Sequence, residues 1–135
     1  MHEFMHALGL FHMQGRPDRD DYVEIKFDNI QSGKEHNFQK CDECLTYGVP
    51  YDAKSFMHYE YWAFAVDQSK PTIVSKVRKV FFYFGNLIYT WHYLQSTEFT
   101  TQELGSATHL TESDILLLRR MYGCGKYFWH KNSKM

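Results

Sequence analysis

Two stretches of the chain carry a helical pattern, and the residues between them carry little periodicity of any kind. The first is HEFMHALG, residues 2–9, in which good helix formers end at Gly9, a residue suited to the left-handed conformation that stops a helix. The second is HLTESDILLLRRMYGC, residues 109–124. There Thr111 stands as N-cap, Glu112 and Asp114 occupy the first turn, Arg119 and Arg120 the last, and Gly123 is the stop. After the first helix, GRPDRDDYVEI turns through Pro17 and a dense charge cluster toward surface structure around residues 25–30. Residues 31–76, punctuated by Gly33, Gly48, Pro50 and Pro71, are expected to form irregular loops with short helical turns. No internal repeat interrupts this order.

Composition narrows the function classes. A chain of 135 residues, 44% hydrophobic and 18% aromatic, can bury one modest core and does not have the composition of a disordered segment. Its formal charge is −1, with 15 basic and 16 acidic residues intermixed, so no basic stripe marks a nucleic-acid partner. The apolar run from Val80 to Leu94 is 15 residues long and contains Asn86 and His92, too short and too polar for a membrane span. No secretory leader precedes His2; read alone that suggests a cytosolic protein, but a chain whose motif begins at its second residue is expected to lack what came earlier. Three cysteines point the same way: if Cys41 and Cys44 pair locally, Cys124 is left over, and in a secreted protein its partner would lie on a segment outside this chain.

Eight histidines are the unusual count, and three fall in the first twelve residues. On a helix His2 and His6 project from one face a turn apart, where two imidazole nitrogens can reach one Zn²⁺ at about 2.0–2.1 Å. Glu3 lies beside them and can take a proton from water and return it to a leaving amine. His12 cannot ligate from the same helix, but a sharp turn at Gly9 lets it swing back to the metal. Three neutral histidines leave a coordination position open, as a catalytic zinc requires. The pattern HExxHxxGxxH arises by chance in roughly one in 10⁵ chains of this length, which weighs heavily against a merely polar helix face.

HEFMHALGLFH, then RPDRDDYVEI, Asn37 with Phe38, and YDAKSFMHY at 51–59 together resemble the astacin family of zinc metalloendopeptidases, within the metzincins. The resemblance covers residues 1–76 and 103–124. It implies an α+β, zincin-like domain and hydrolysis of peptide bonds in protein or peptide substrates outside the cell. Residue by residue, His2, His6 and His12 match the zinc ligands, Glu3 the general base and Met57 the apolar floor of the Met-turn. Tyr59 matches the tyrosine that binds zinc at rest and then hydrogen-bonds the tetrahedral intermediate, a role suited to a phenol. Cys124 matches a cysteine that bonds to the N-terminal half of the family's catalytic domain.

Three departures accompany the resemblance. The family places glutamate directly after the third histidine, to anchor the mature amino terminus; here Met13 stands there, and a thioether cannot replace a carboxylate facing an ammonium. The family's N-terminal half, a twisted sheet with an edge strand that pairs with substrate, is expected to be absent, leaving an apolar face on the zinc helix. Residues 77–102 match nothing in the family, and eight of these 26 are aromatic. Without them KPTIVSK runs directly into ELGSATHLTESDI. An inserted hairpin around Gly85 and Asn86 is one reading. The preferred one is a translated intron, since Val77-Arg78 can be encoded by GTAAGR and Gln102 by CAG. The chain is thus expected to be a partial peptidase domain over 1–124 with a tail over 125–135.

Elsewhere the ordinary structural reading is favoured. CDEC at 41–44 lacks the strand-then-helix context of a redox site and is expected to close a local disulfide. His36, His92, His109 and His130 lack ligand spacing and should be solvated or packed; His58 should be structural. The DRDD cluster forms a solvated face, or Arg16 and Asp18–Asp20 brace the loop after His12. The rival to an active peptidase is a remnant that carries the zinc ligands without the cleft.

Overall fold

A computed structural model describes residues 1–76, 82–84, 87–89 and 99–124. Helix α1 runs His2–Ala7 and helix α2 Glu112–Met121. Strand β1, Val23–Ile25, pairs antiparallel with β2, Ile73–Ser75, setting Val23 opposite Ser75 and Ile25 opposite Ile73. A second antiparallel pair joins β3, Phe82–Phe84, to β4, Leu87–Tyr89, on either side of residues 85–86. Single 3₁₀ turns at Met13–Gly15, Arg19–Asp21, Phe27–Asn29, Glu35–Phe38 and Thr101–Glu103 fill much of the remainder.

Both helices end as their sequences dictate. Gly9 takes φ +86°, Leu10 N–H returns to Met5 C=O at 3.1 Å and Gly9 N–H to His6 C=O at 2.9 Å, which is a Schellman cap. Met5 and Leu10 supply its apolar contact, both buried in one cluster with Met57. At the start of α2, Thr111 and Asp114 exchange hydrogen bonds in a capping box, Asp114 N–H to Thr111 Oγ1 at 3.2 Å and Thr111 N–H to Asp114 Oδ2 at 3.0 Å. Asp114 is fully buried and takes two further donors, Ser55 Oγ–H at 2.6 Å and Phe56 N–H at 3.0 Å. The cap of one helix therefore also fixes the segment that carries Met57 and Tyr59.

Two apolar clusters flank that segment. Met5, Leu10 and Met57, with Leu110, Leu117, Leu118 and Met121 packed against them, join α1 to α2. Met13, Val23, Ile30, Phe38, Tyr51, Ala53, Ile73 and Leu104 form the second, beneath the β1–β2 pair. The stretch expected at the surface around 25–30 is exposed at residues 26–28, while Ile30 at its end is buried in this core and bridges Ala65. Strand β2 also replaces what the sequence suggested was loop; at three residues it is too short to declare a period.

Phe99 packs against the second cluster, and Ser75 N–H donates to Thr101 Oγ1 at 3.1 Å. Lys76 N–H in turn donates to Tyr22 C=O at 2.7 Å, so Lys76 and Phe99 both lie beside this core. Among the described residues, no helix is long and apolar enough to cross a membrane. His92, His130 and the tail at 125–135 lie outside the described residues.

Because Asp114 ties down three donors at a fully buried site, Asp114→Ala should lower the free energy of unfolding by about 3 kcal/mol, whereas the exposed Gln68→Ala should stay within about 0.5. Urea denaturation of the two variants measures this, and equal losses would refute the pinning role.

Candidate metal centre

Helix α1 stacks His2 and His6 on one face, with ring centroids 4.8 Å apart and the rings edge to face. The turn at Gly9 brings His12 back so that its ring centroid lies 4.5 Å from His6 and 5.2 Å from His2. The Nε2 atoms of His2 and His6 are each 3.1 Å from His12 Nε2. Among the described residues, these three are the one cluster of His, Cys, Asp and Glu able to share a metal ion.

Proton placement decides what such a cluster can hold. His2 Nδ1 faces Phe56 C=O at 3.1 Å and His6 Nδ1 faces Leu10 C=O at 2.7 Å. A carbonyl only accepts, so both Nδ1 atoms carry the proton and both Nε2 atoms present bare lone pairs. His12 Nε2 could donate to one of them at most, leaving the other facing a lone pair. A cation at the centre removes the conflict, and three nitrogens held tetrahedrally by Zn²⁺ at about 2.0–2.1 Å stand roughly 3.3 Å apart. The two carbonyls are the outer partners that fix tautomer and ring direction. Burial, and after it the neighbouring His6 and His2, lowers the His12 pKa to about 4, so its lone pair stays available well into mild acid. The residues therefore fit a zinc ion.

Met57 is fully buried in the cluster with Met5 and Leu10, and its C=O accepts from Met13 N–H at 2.8 Å. Tyr59 sets its ring 4.4 Å from His12, with Phe64 and Phe38 behind it, and burial raises its phenol pKa. Glu3, in the first turn of α1, is exposed. The fold thus gathers the histidines and Tyr59 that sequence reasoning named, with Met57 bonded through its C=O to the residue after His12, while the cysteines take no part in the histidine cluster.

The loop after His12 is held from several sides. Buried Arg19 donates to Gln14 C=O at 3.0 Å and to Phe38 C=O, while Arg16 bridges Asp18 at 2.8 Å and reaches Val49 C=O at 3.0 Å. Cys41 and Cys44 form a disulfide, and Cys41 N–H donates to Gly15 C=O at 2.7 Å. Cys124 is exposed and unpaired among the described residues. Met13 is buried with no carboxylate in its place, and behind His12 it lines a cleft of about 380 Å³ together with Phe11, Leu45 and Met121. His36 and His109 are exposed. His58 is buried, with Nδ1–H donating to Tyr59 C=O at 2.6 Å and Nε2 accepting from Tyr51 O–H at 2.7 Å. Gln14, fully buried, accepts Tyr59 N–H at 3.0 Å; sequence reasoning missed it, and its one signal was a polar residue directly after Met13.

The family model for the astacin peptidases matches residues 1–88, and the chain belongs to that family. It is 38% identical to meprin A subunit beta of Homo sapiens over 125 residues, 91% of this chain and 15% of that protein. It is 36% identical to zinc metalloproteinase nas-14 of Caenorhabditis elegans over 128 residues, 93% of this chain and 21% of that protein. The solved structure of high choriolytic enzyme 1 of Oryzias latipes (Medaka fish), a hatching enzyme zinc-protease, matches with a TM-score of 0.69 and 28% identity, over 91% of this chain and 50% of that chain. The chain therefore spans a small part of these curated relatives and half of the solved one. The family and the zinc-protease neighbour both imply zinc as the metal.

The protein should bind one Zn²⁺ per chain, and His12→Ala should weaken that binding at least about 100-fold in a chelator competition, because two ligands remain. Burial also lowers the His58 pKa from 6.5 to about 4, so between these values the unfolded chain takes up a proton that the folded one refuses. His58's share of stability is then fully present above pH 6.5 and falls with pH, by roughly 3 kcal/mol near pH 4. As pH falls from 7 to 4.5, the urea midpoint of wild type should fall more steeply than that of His58→Gln; parallel curves would contradict it.

Proposed function

We propose that the protein is a zinc metalloendopeptidase that hydrolyses peptide bonds in protein or peptide substrates, with His2, His6 and His12 holding the metal. The observation that carries this reading is the convergence of bare Nε2 lone pairs beside an exposed carboxylate on the same helix. When bound, zinc supplies Lewis acidity toward a peptide carbonyl and toward water. Glu3 takes the proton from the attacking water and later delivers it to the leaving amine. Tyr59, which would hold the metal as an additional ligand at rest, donates its phenol O–H to the oxygen on which negative charge develops. Met57 takes the part of the family's apolar floor, a role supported by its burial with Met5 of the same helix that carries His2 and His6.

Residues 1–124 are read as part of a peptidase domain, with 77–102 as an inserted stretch and 125–135 as a tail. The bond between Ser75 and Thr101 supports the insertion, since residues flanking most of that stretch touch. An extracellular, oxidising location is supported by the Cys41–Cys44 disulfide. A second reading, a zinc-binding remnant with impaired catalysis, draws on Phe4 and Phe11, which fall between the histidines in sequence and are 64% and 65% exposed.

Hydrolysis of a fluorogenic peptide library decides between them. For a peptidase, Glu3→Gln should keep one zinc and lose at least about 10³-fold in kcat/KM, and Tyr59→Phe should lose about 10²-fold in kcat. Zinc uptake with no Glu3-dependent cleavage would leave the remnant as the description.

A further inference from the structure

Tyr59 sits in an unusual position for a residue whose side chain is to change partners during a reaction. Its ring is only half-buried, yet both polar groups of its main chain are held by side chains. The N–H donates to Gln14 Oε1 at 3.0 Å, and the C=O accepts from His58 Nδ1 at 2.6 Å. The third side is closed by Gly105, at φ +62°: a Cβ there would stand 2.7 Å from both the carbonyl carbon and oxygen of Tyr59 and 2.6 Å from His58 O, closer than any side chain can come.

Each holding group is itself committed. Gln14 is fully buried, and its Nε2 has no hydrogen-bond partner among the described residues. An orphaned buried amide costs about 1–3 kcal/mol, so this orientation is maintained by what the oxygen does, which is to accept Tyr59 N–H. His58 is fixed as the Nδ1–H tautomer because a carbonyl faces that atom, and its Nε2 is occupied by the hydroxyl of Tyr51. Tyr51 in turn is stacked on Tyr22, with ring centroids 4.5 Å apart, and lies under the Arg16 guanidinium at 5.5 Å. Gln14 also lies two residues beyond His12, on the loop that Met13 N–H ties to Met57 C=O. The clamp on Tyr59 and the third metal ligand therefore share one short stretch of backbone.

We propose that Gln14 and His58 are positioning residues that grip the Tyr59 peptide at its two polar ends, with Gly105 as the wall behind it, so that the phenol moves about its own side-chain torsions around a stationary Cα. The inference rests on the role assigned to Tyr59 above. A free backbone would let the phenol oxygen miss its target by an ångström or more, an error worth up to about 10²-fold in rate. A fixed Cα leaves two torsions as the only variables. Neither Gln14 nor His58 touches substrate or metal in this scheme; both act through Tyr59.

The test is a mutant cycle on the full chain with two readouts. The near-isosteric Gln14→Met removes the acceptor, His58→Leu removes the donor, and His58→Asn keeps an N–H close to the Nδ1 position. Each is made in wild type and in Tyr59→Phe, then measured for peptide hydrolysis with zinc and for the visible phenolate-to-metal absorption of the Cu²⁺-loaded protein. We expect Gln14→Met and His58→Leu to keep one metal per chain, to weaken the Cu²⁺ absorption and to lower kcat about 10-fold with KM within twofold. His58→Asn should recover most of both signals, and in the Tyr59→Phe background neither removal should cost anything further. The clamp is overturned if the variants lose as much in the Tyr59→Phe background as they do with the tyrosine present, or if His58→Asn behaves like His58→Leu. If Tyr59→Phe alone changes neither the absorption nor kcat, the role of Tyr59 falls, and the clamp with it; that result is distinct from loss of the clamp alone.

Discussion

An irregular segment can lie inside a protein only if each of its peptide groups finds a partner, and Ser55–Tyr59 meets that constraint almost residue by residue. Ser55 Oγ and Phe56 N–H go to Asp114, Phe56 C=O to His2, and Met57 N–H to Ser55 Oγ. Met57 C=O goes to Met13, and the two ends of the Tyr59 peptide go to Gln14 and His58. The partners come from α1, from the loop after it and from the cap of α2. Five residues without regular structure thus do the joining that a sheet or bundle does elsewhere. The metal ligands inherit their directions from it: His2 is aimed by Phe56 C=O, and the loop after His12 is anchored by Met57 C=O.

The two apolar clusters follow from the same arrangement. Met57 enters one and Tyr59, two residues later, packs against the other, so the segment is a wall with hydrophobic packing on both sides. Its buried polar atoms are tolerated because they are satisfied by short contacts within the protein. Asp114 is the extreme case: a carboxylate at a helix N-terminus, fully enclosed, accepting from one hydroxyl, the Phe56 amide and the amide of the capping residue.

Local rules made part of this legible. The Schellman cap at Gly9, the capping box at Thr111 and the spacing of His2, His6 and His12 depend on residues within ten positions of one another, and all could be read before any fold was known. What could not be read were pairings across 45 or more positions, such as Gln14 with Tyr59 and Ser55 with Asp114, because a glutamine or serine carries no local sign of its distant partner. The burial of Ile30 is hidden for a related reason: its adjacent residues are polar, and it is drawn inward by the second cluster and by a bridge to the distant Ala65. The strands were too brief to show an alternation. The buried Arg19 was hidden in the same way among acidic neighbours, though its role in bracing the loop after His12 was one of two readings the charge cluster allowed.

The contact between Ser75 and Thr101 has a consequence for chain length. Where two ends of an excursion already touch, the entropy of closing it rises only with the logarithm of the number of residues it contains, about 0.6 kcal/mol for each doubling. By closure entropy alone, a longer or shorter stretch between Ser75 and Thr101 costs the fold little. The contact is in that sense a clasp, whose cost depends more on the pair that closes it than on the length of chain it encloses.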